Sequence, residues 1–302
     1  MSSLEQYKDS RHYQKIHQQI ETLGLIEHMN HLDEYGYTVI PPGLVAPEEF
    51  QDRLRKAVLK VNEQRTGQKI NVEDIETAKL NKDGPGYGHW AILTDDPVFQ
   101  EAIMNPAALA MAKYLCGNSV MLSDLLCQVK QQDDTMTHPL HTDQHGTPPP
   151  LPPYTQVANV TWALTDYRKG NGPVAIVPGS HLKSRYPLPE EGNFLREDAP
   201  VKAIPIEADA GSLIIWHGNT WHGSYPRKSP GLRLNLIMVI TRVYMKQIRD
   251  FRSETPKEVL DRHPVEFARL IGANSAYPFV DGNRPPKDDM AYMVAAGRNP
   301  WA

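Results

Sequence analysis

The chain has 302 residues, of which 40% are hydrophobic and 23% charged, a composition typical of a folded globular protein. The 36 acidic and 32 basic residues give a formal net charge of -4, and no run of like charge is long enough to suggest a face for nucleic acid or a membrane surface. The longest apolar runs, such as Leu236 to Ile240, are far shorter than the ~18 residues that suggest a membrane span. We therefore expect a soluble, cytoplasmic protein.

Cysteine usage agrees with that location. The chain has only Cys116 and Cys127, so a disulfide framework is not expected. We predict two reduced thiols on or near a buried strand.

The N-terminal third is predicted to be mainly helical. A short strand is expected from Glu34 to Pro41, and Pro47 is typical of the first position of a helix. A second helix is predicted between Asn105, as the capping residue, and Gly117, as the terminating residue. The first helix has an apolar face at helical spacing, formed by Phe50, Leu54, Ala57, Val58 and Val61.

From about Ser119 the pattern becomes β-rich. Successive runs read VMLSDLLCQVK, TQVANVTWALTDY, PVAIVPG, GSLIIWHGNTWHGSYP and LRLNLIMVITRVY, with Pro and Gly between them. Several strands without intervening helices favour an antiparallel sandwich or barrel of the jelly-roll kind. After Met245, helices are predicted to begin at Pro256 and Pro264, and the end of the chain reads as irregular. We predict one domain over residues 1–302, with a helical N-terminal part (1–118), a β-core (about 119–245) and a helical C-terminal tail (246–302).

Two His-x-Asp triplets occur, and their contexts separate them. With 12 histidines and 36 acidic residues, one or two His-x-acid triplets are expected by chance. His31-Leu-Asp33 lies among polar residues, so we interpret it as a solvated turn or helix end. His141-Thr-Asp143 follows a predicted strand, where residues at i and i+2 point to the same side and can hold one divalent metal ion.

A third metal ligand could come from His217 or His222. If the residues around HGSYPRKSPGLR form a hairpin, His222 and Arg233 lie near each other on adjacent strands, and Ser224 shares the face of His222. His217 would then remain near the Gly-Asn bend. A buried guanidinium requires an anionic partner, and an Arg beside a hydroxyl suits a carboxylate.

Two histidines and one carboxylate form the facial triad of non-haem Fe(II) oxygenases, and the neighbouring Arg suggests a keto-acid co-substrate. The same ligand set also suits a zinc hydrolase, which gives no reason for Arg233 and Ser224. A third hypothesis is a cupin-like binding protein without turnover.

The sequence resembles the phytanoyl-CoA dioxygenase family from roughly Asp33 to Arg242. The resemblance depends on an ordered set: HTD at residues 141–143, NGPVAIVPGSH at 171–181, WHGS at 221–224, and then Arg233. It implies a mainly β fold with helical flanks, in which the core is a double-stranded β-helix, a cupin-like jelly roll. It also implies iron held by His141, Asp143 and His222.

The resemblance further implies that 2-oxoglutarate chelates the iron while Arg233 and Ser224 hold its far carboxylate, with Gln128 helping by position to orient it. Two positions depart from the family's pattern: Arg227 stands where Asn is frequent, and Thr161 stands where Trp is frequent. The implied activity is hydroxylation of an unactivated C–H bond of a small organic molecule by dioxygen, with release of succinate and CO2. Alternatives are desaturation or rearrangement at the same triad in secondary metabolism, or metabolite binding without catalysis. In the resemblance, a carboxylate at position 143 argues against halogenation.

Other polar and aromatic residues near these motifs carry weaker hypotheses. We expect His138 and His145 to be loop residues or supports of the site, and His181 to stabilise a turn beneath it. The run Pro148 to Pro153 is either a lid or an extended surface loop. Substrate-wall candidates, which could equally anchor the core, are Tyr87, His89 and Trp90.

Overall fold

Two antiparallel β-sheets lie face to face in the computed structural model, which describes residues 5–81, 87–132, 138–274 and 298–301. In the order of neighbouring strands, the large sheet is β1-β7-β4-β9-β3-β2 and the small sheet is β6-β5-β8. The strands are β1 (Tyr37–Ile40), β2 (Tyr87–Trp90), β3 (Met121–Gln131), β4 (Val157–Ala163), β5 (Val174–Ile176), β6 (Ile204–Pro205), β7 (Leu213–His217), β8 (His222–Ser224) and β9 (Leu232–Thr241). This arrangement confirms the predicted mainly-β fold with helical flanks.

Helices flank the sheets in the part of the chain that the structure describes. They are α1 (Arg11–Thr22), α2 (Ile26–Tyr35), α3 (Glu48–Thr66), α4 (Pro97–Ile103), α5 (Pro106–Cys116), α6 (Pro189–Gly192), α7 (Phe251–Glu254), α8 (Lys257–Asp261) and α9 (Val265–Leu270). Among these, none is both long and apolar enough to cross a lipid bilayer.

Strand alternation gives the large sheet two different faces. On the outer face, every second residue of β9 from Leu232 to Ile240 belongs to one hydrophobic cluster with side chains of α1, α3, α4 and α5. On the inner face, the residues between them, from Arg233 to Val239, line a cavity between the two sheets. Because β4 and β9 are buried on both faces, they read in the sequence as nearly continuous apolar runs.

Helix α5 begins and ends where the sequence predicts, and three other helices begin within one residue of the predicted position. The Asn105 side chain accepts a hydrogen bond from the Ala108 amide at the start of α5, and Gly117 follows its last residue with a φ of 87°. The prolines expected at the first helical positions instead lie one residue earlier: Pro47 precedes α3, Pro256 precedes α8 and Pro264 precedes α9.

The predicted strand from Glu34 to Pro41 is shorter in the structure. Helix α2 extends to Tyr35, and Gly36 then adopts a φ of 81°, which a side chain would strain, before β1 begins. A β-carbon at Gly36 would also overlap Thr220 and His181, so this turn fits closely against the loop after β7.

Both cysteines are free and buried, as predicted: Cys116 ends α5 and Cys127 lies on the outer face of β3. Burial raises the pKa of each thiol to about 12. The irregular C-terminal stretch lies mostly outside the described residues, and the assignment of one domain to residues 1–302 stays a prediction.

Candidate active site

The cavity between the sheets has a volume of about 490 Å³ and is lined by both of them. Strands β3, β4, β7 and β9 supply one wall, and β5 and β8 supply the other. All six residues singled out for the metal and the co-substrate line it, namely Gln128, His141, Asp143, His222, Ser224 and Arg233.

His141, Asp143 and His222 form a cluster in the wall of the cavity. One ligand atom from each lies within 4.8 Å of the other two. The His222 Nε2 atom is 3.5 Å from Asp143 Oδ2, and the His141 Nε2 atom is 4.0 Å from Asp143 Oδ1. These spacings allow a single divalent ion to contact all three side chains.

Backbone carbonyls orient both imidazoles of the cluster. The Nδ1 atom of His141 is 2.9 Å from the Pro139 carbonyl, and that of His222 is 3.0 Å from the Thr220 carbonyl. Because a carbonyl only accepts hydrogen bonds, both Nδ1 atoms donate, and a neutral imidazole that donates from Nδ1 keeps a lone pair on Nε2 for a ligand. Burial lowers the pKa of His222, which also favours the neutral ring.

The carboxylate of Asp143 is held by two donors that the sequence analysis missed. Asn159 Nδ2 donates to Asp143 Oδ2 at 2.5 Å, and Trp216 Nε1 donates to the same oxygen at 3.2 Å. Asn159 in β4 and Trp216 in β7 are directly opposite each other in the sheet register, on the inner face. The strand alternation could have placed both in the cavity, but no spacing rule linked either to Asp143.

A buried cation lies at another part of the cavity wall. Arg233 is 2% exposed and donates to the Gly172 carbonyl and, at 3.2 Å, to Gln128 Oε1. Its guanidinium lies 4.9 Å above the centre of the Tyr167 ring. Its Nε atom has no hydrogen-bond partner, and no acidic side chain among the described residues pairs with it. An anionic ligand would satisfy this charge.

Two further polar residues, Ser224 and Lys130, line the same cavity as Arg233. Ser224 Oγ accepts a hydrogen bond from the His138 amide at 3.1 Å. Lys130 is directly opposite Arg233 in the register of β3 and β9, and its Nζ atom donates to the Tyr225 carbonyl at 2.9 Å. This second cation was not singled out from the sequence.

The structure corrects the route by which these residues were expected to meet. Strand β3 ends at Gln131, and His141 belongs to an isolated bridge with His222, so the HTD triplet is not part of a regular strand. Strands β8 and β9 do not form a hairpin either, because β8 pairs with β5 while β9 pairs with β3 and β4. His222 and Arg233 instead line the cavity from opposite sheets, a placement that depends on long-range pairing.

Gly223 is required between the two functional residues of β8. A β-carbon at this position would overlap the His138 carbonyl. The close approach lets the loop around residues 138–141 lie directly against β8.

The weaker candidates for site residues divide into those that line the cavity and those that do not. His138, Tyr87 and Trp90 line the cavity, whereas His89 turns away and contacts Asn62 Oδ1. The two remaining candidates near the triplet do not line it: His145 is exposed, and the run Pro148 to Pro153 forms a mostly exposed loop. The structure therefore favours the surface-loop interpretation for these prolines.

Three other histidines considered in the sequence analysis have structural partners. His31 and Asp33 lie in the last turns of α2, where His31 Nδ1 contacts the Tyr37 carbonyl and Asp33 accepts from Tyr114. His181 Nε2 contacts the Asp33 carbonyl, and the ring lies 5.4 Å from that of His217. Burial lowers the pKa of His217 well below its usual value, so it is a neutral core residue.

The two residues that depart from the family's pattern, Arg227 and Thr161, lie in different environments. Arg227 is buried and donates to the carbonyls of Asn171, Pro230 and Gly231, so it holds the loop between β8 and β9 together. Burial lowers its pKa to about 10. Thr161 faces the cavity, and its buried hydroxyl has no partner among the described residues.

Comparison with known proteins supports this fold. A family model described as Phytanoyl-CoA dioxygenase (PhyH) matches residues 32–235, more than half of the chain. Dioxygenase af480 of Aspergillus fumigatus is 24% identical over 277 residues, which are 90% of this chain and 83% of the fungal protein.

Solved structures share the same architecture. EctD from S. alaskensis, determined with 2-oxoglutarate and 5-hydroxyectoine, has a TM-score of 0.55 at 18% identity, covering 72% of this chain and 76% of its own. SnoK, a non-heme alpha ketoglutarate dependent carbocyclase from nogalamycin biosynthesis, has a TM-score of 0.55 at 20% identity, covering 76% and 90%. This chain thus belongs to the phytanoyl-CoA dioxygenase family and is a non-haem iron dioxygenase that depends on 2-oxoglutarate.

Proposed function

We propose that this protein hydroxylates an unactivated C–H bond of a small, largely apolar organic molecule. The observation that carries the proposal is the arrangement of one cavity: a cluster of two imidazoles and a carboxylate, a buried Arg without an acidic partner, and apolar walls elsewhere. The balanced reaction converts 2-oxoglutarate, dioxygen and R–H into succinate, CO2 and R–OH. One oxygen atom enters succinate and the other enters the alcohol.

His141, Asp143 and His222 are the proposed iron ligands. The donor set suits divalent iron with open positions, and both Nε2 atoms are available because the Nδ1 protons are bound elsewhere. Iron, once bound, supplies the activation of dioxygen at the keto acid. The role of the chain is to hold three ligands on one side and to exclude water from the target carbon.

Arg233 and Ser224 are the proposed partners of the far carboxylate of 2-oxoglutarate. The Arg233 guanidinium is already fixed by Gly172, Gln128 and the Tyr167 ring, so little side-chain entropy remains to be lost on binding. The contact with Gln128 suggests that Gln128 acts partly by orienting Arg233. Lys130 adds a second positive charge to the same wall.

The remaining wall favours an apolar substrate. Leu126, Ile237 and Val239 line the cavity from the large sheet, while Tyr87 and Trp90 contribute aromatic rings from β2. Trp90 is 52% exposed, so its ring lies where the cavity meets solvent. Among the described lining residues, Asp143 is the one acid, and it is already committed to the metal cluster. A cationic substrate would therefore find no uncommitted counterion among the lining residues that the structure describes.

Competing reactions are separated by the mass of the product. The protein with Fe(II), 2-oxoglutarate and air would be incubated with neutral apolar compounds, acyl-CoA thioesters and amino-acid derivatives, and succinate would be measured. Hydroxylation adds one oxygen atom to the substrate, desaturation or ring closure removes two hydrogen atoms, and epimerisation leaves the mass unchanged. A product of the second or third kind would contradict the hydroxylase proposal.

Labelled dioxygen sharpens the same experiment, because an alcohol formed by this reaction carries one labelled atom. The absence of succinate with every compound, in protein shown to contain iron, would favour a binding protein without turnover. Activity with zinc and without 2-oxoglutarate would favour a hydrolase.

A further inference from the structure

The most restrained group in the cavity is the carboxylate of Asp143, and the restraint falls on one of its two oxygens. Asp143 Oδ2 accepts hydrogen bonds from both Asn159 and Trp216. All three residues are buried: Asp143 is 8% exposed, Asn159 6% and Trp216 5%. Hydrogen bonds to a charged acceptor are stronger than neutral ones when water is excluded.

The two oxygens of Asp143 consequently differ in their hydrogen bonds. Oδ2 accepts from two buried donors, whereas Oδ1 accepts from neither of them. Oδ2 lies 3.5 Å from His222 Nε2 and Oδ1 lies 4.0 Å from His141 Nε2, so the restrained carboxylate faces both imidazoles.

We propose that Asn159 and Trp216 are positioning residues that hold the Asp143 carboxylate in the orientation in which it binds the metal ion. The inference depends on the proposed role of Asp143 as an iron ligand. Without the two donors the carboxylate would be free to rotate away from the two imidazoles, and the three ligands would no longer be preorganised.

The placement of the donors suits a positioning role. Asn159 and Trp216 are paired in the register of adjacent strands, so their side chains emerge from a rigid part of the large sheet. The Trp216 ring also lies 5.0 Å from the ring of His222. Trp216 therefore contacts two members of the metal cluster at once.

Two variants remove the donors and keep an apolar side chain at each position. Asn159→Leu removes the amide, and Trp216→Phe removes the indole N–H while retaining an aromatic ring beside His222. We expect each to weaken Fe(II) and Co(II) binding about 10- to 100-fold, the usual effect of losing a hydrogen bond to a metal ligand. The Co(II) ligand-field absorption should also change in intensity, because a carboxylate without its two donors would bind the ion in a different orientation.

The chain offers a matched control for each variant. Asn62 is also a fully buried Asn, but it binds the Gln68 carbonyl and His89 away from the cluster. Trp162 is fully buried on β4, and its indole nitrogen has no hydrogen-bond partner. Asn62→Leu and Trp162→Phe should bind both metals as the wild type does, whatever they do to thermal unfolding.

The outcomes separate the two proposals. If the wild-type protein binds neither Fe(II) nor Co(II), the assignment of the metal ligands is wrong. If the wild type binds them and both cavity variants retain its affinity and its Co(II) spectrum, the positioning role is wrong, even when their melting temperatures fall. Should Asn159→Leu not fold, Asn159→Ser, which is too short to reach Oδ2, must show the same loss of affinity for the proposal to stand.

Discussion

The two faces of the large sheet use the same strands for different purposes. Along β9, the outward residues from Leu232 to Ile240 are aliphatic or Met and pack against helices. The inward residues begin with Arg233 and Asn235, which are buried polar groups with specific hydrogen-bond partners. The outer face depends on the total apolar area that it buries, whereas the inner face depends on individual atoms.

This difference implies opposite responses to substitution. An outward side chain contributes roughly 1.5–3 kcal/mol through burial and contacts nothing in the cavity. Burying an inward polar side chain without its ligand costs free energy of folding. Such a side chain therefore contributes little to the stability of the fold, and its main contribution is to ligand binding and catalysis.

Asp143→Ala removes the carboxylate of the metal cluster. We expect loss of detectable hydroxylation and of Fe(II) binding, with the fold retained, because Asp143 is a site residue and not part of the apolar clusters. Metal content, succinate formation and the circular-dichroism spectrum would be measured together. Turnover at the wild-type rate would disprove the proposed ligand set.

Arg233→Ala removes the buried cation. Truncating one partner of a buried charge pair costs about 2–5 kcal/mol, so the KM for 2-oxoglutarate should rise about 30-fold or more. Arg233→Lys should rescue little, because a single ammonium cannot reproduce the planar guanidinium fork. The rise in Tm on adding 2-oxoglutarate should also shrink. An unchanged 2-oxoglutarate requirement would contradict the anchoring role.

Leu236→Ala tests the outer face three residues further along the same strand. Leu236 is fully buried among the helices, so we expect a loss of about 2–5 kcal/mol in the free energy of unfolding. The KM for 2-oxoglutarate and the affinity for Fe(II) should stay within about twofold of wild type. Denaturant unfolding and steady-state kinetics check both parts; a large change in KM would show that the two faces are coupled.

The reactivity of the Cys127 thiol tests the packing of the outer face without any substitution. With a thiol pKa of about 12, roughly one molecule in 10,000 carries the thiolate at pH 8. The folded protein should therefore resist alkylation of Cys127 and Cys116 at pH 8, and both should react after unfolding in guanidinium chloride. Rapid labelling of the folded protein would reveal local opening of the helices over β3.

Two histidine pairs show how much of the site the sequence could predict. His141 and His222 have Nδ1 bound to carbonyls and Nε2 directed to Asp143, whereas His181 and His217 lie in the core. The choice of His222 over His217 rested on a predicted hairpin and on the family's ordered motif, and the structure brings His222, not His217, beside Asp143. The reasoning from a hairpin was wrong, because the partners of β8 and β9 are distant in sequence.

Local patterns in the sequence are sufficient to predict the apolar runs that become strands, the capped helix α5 and the ordered motifs that identify the family. The sequence does not reveal that Asn159 and Trp216 share one oxygen of Asp143, or that Lys130 lies opposite Arg233. These pairs are 16, 73 and 103 positions apart, and they meet because strand register places Asn159 beside Trp216 and Lys130 beside Arg233. Register is fixed by the packing of whole sheets, which no local pattern contains.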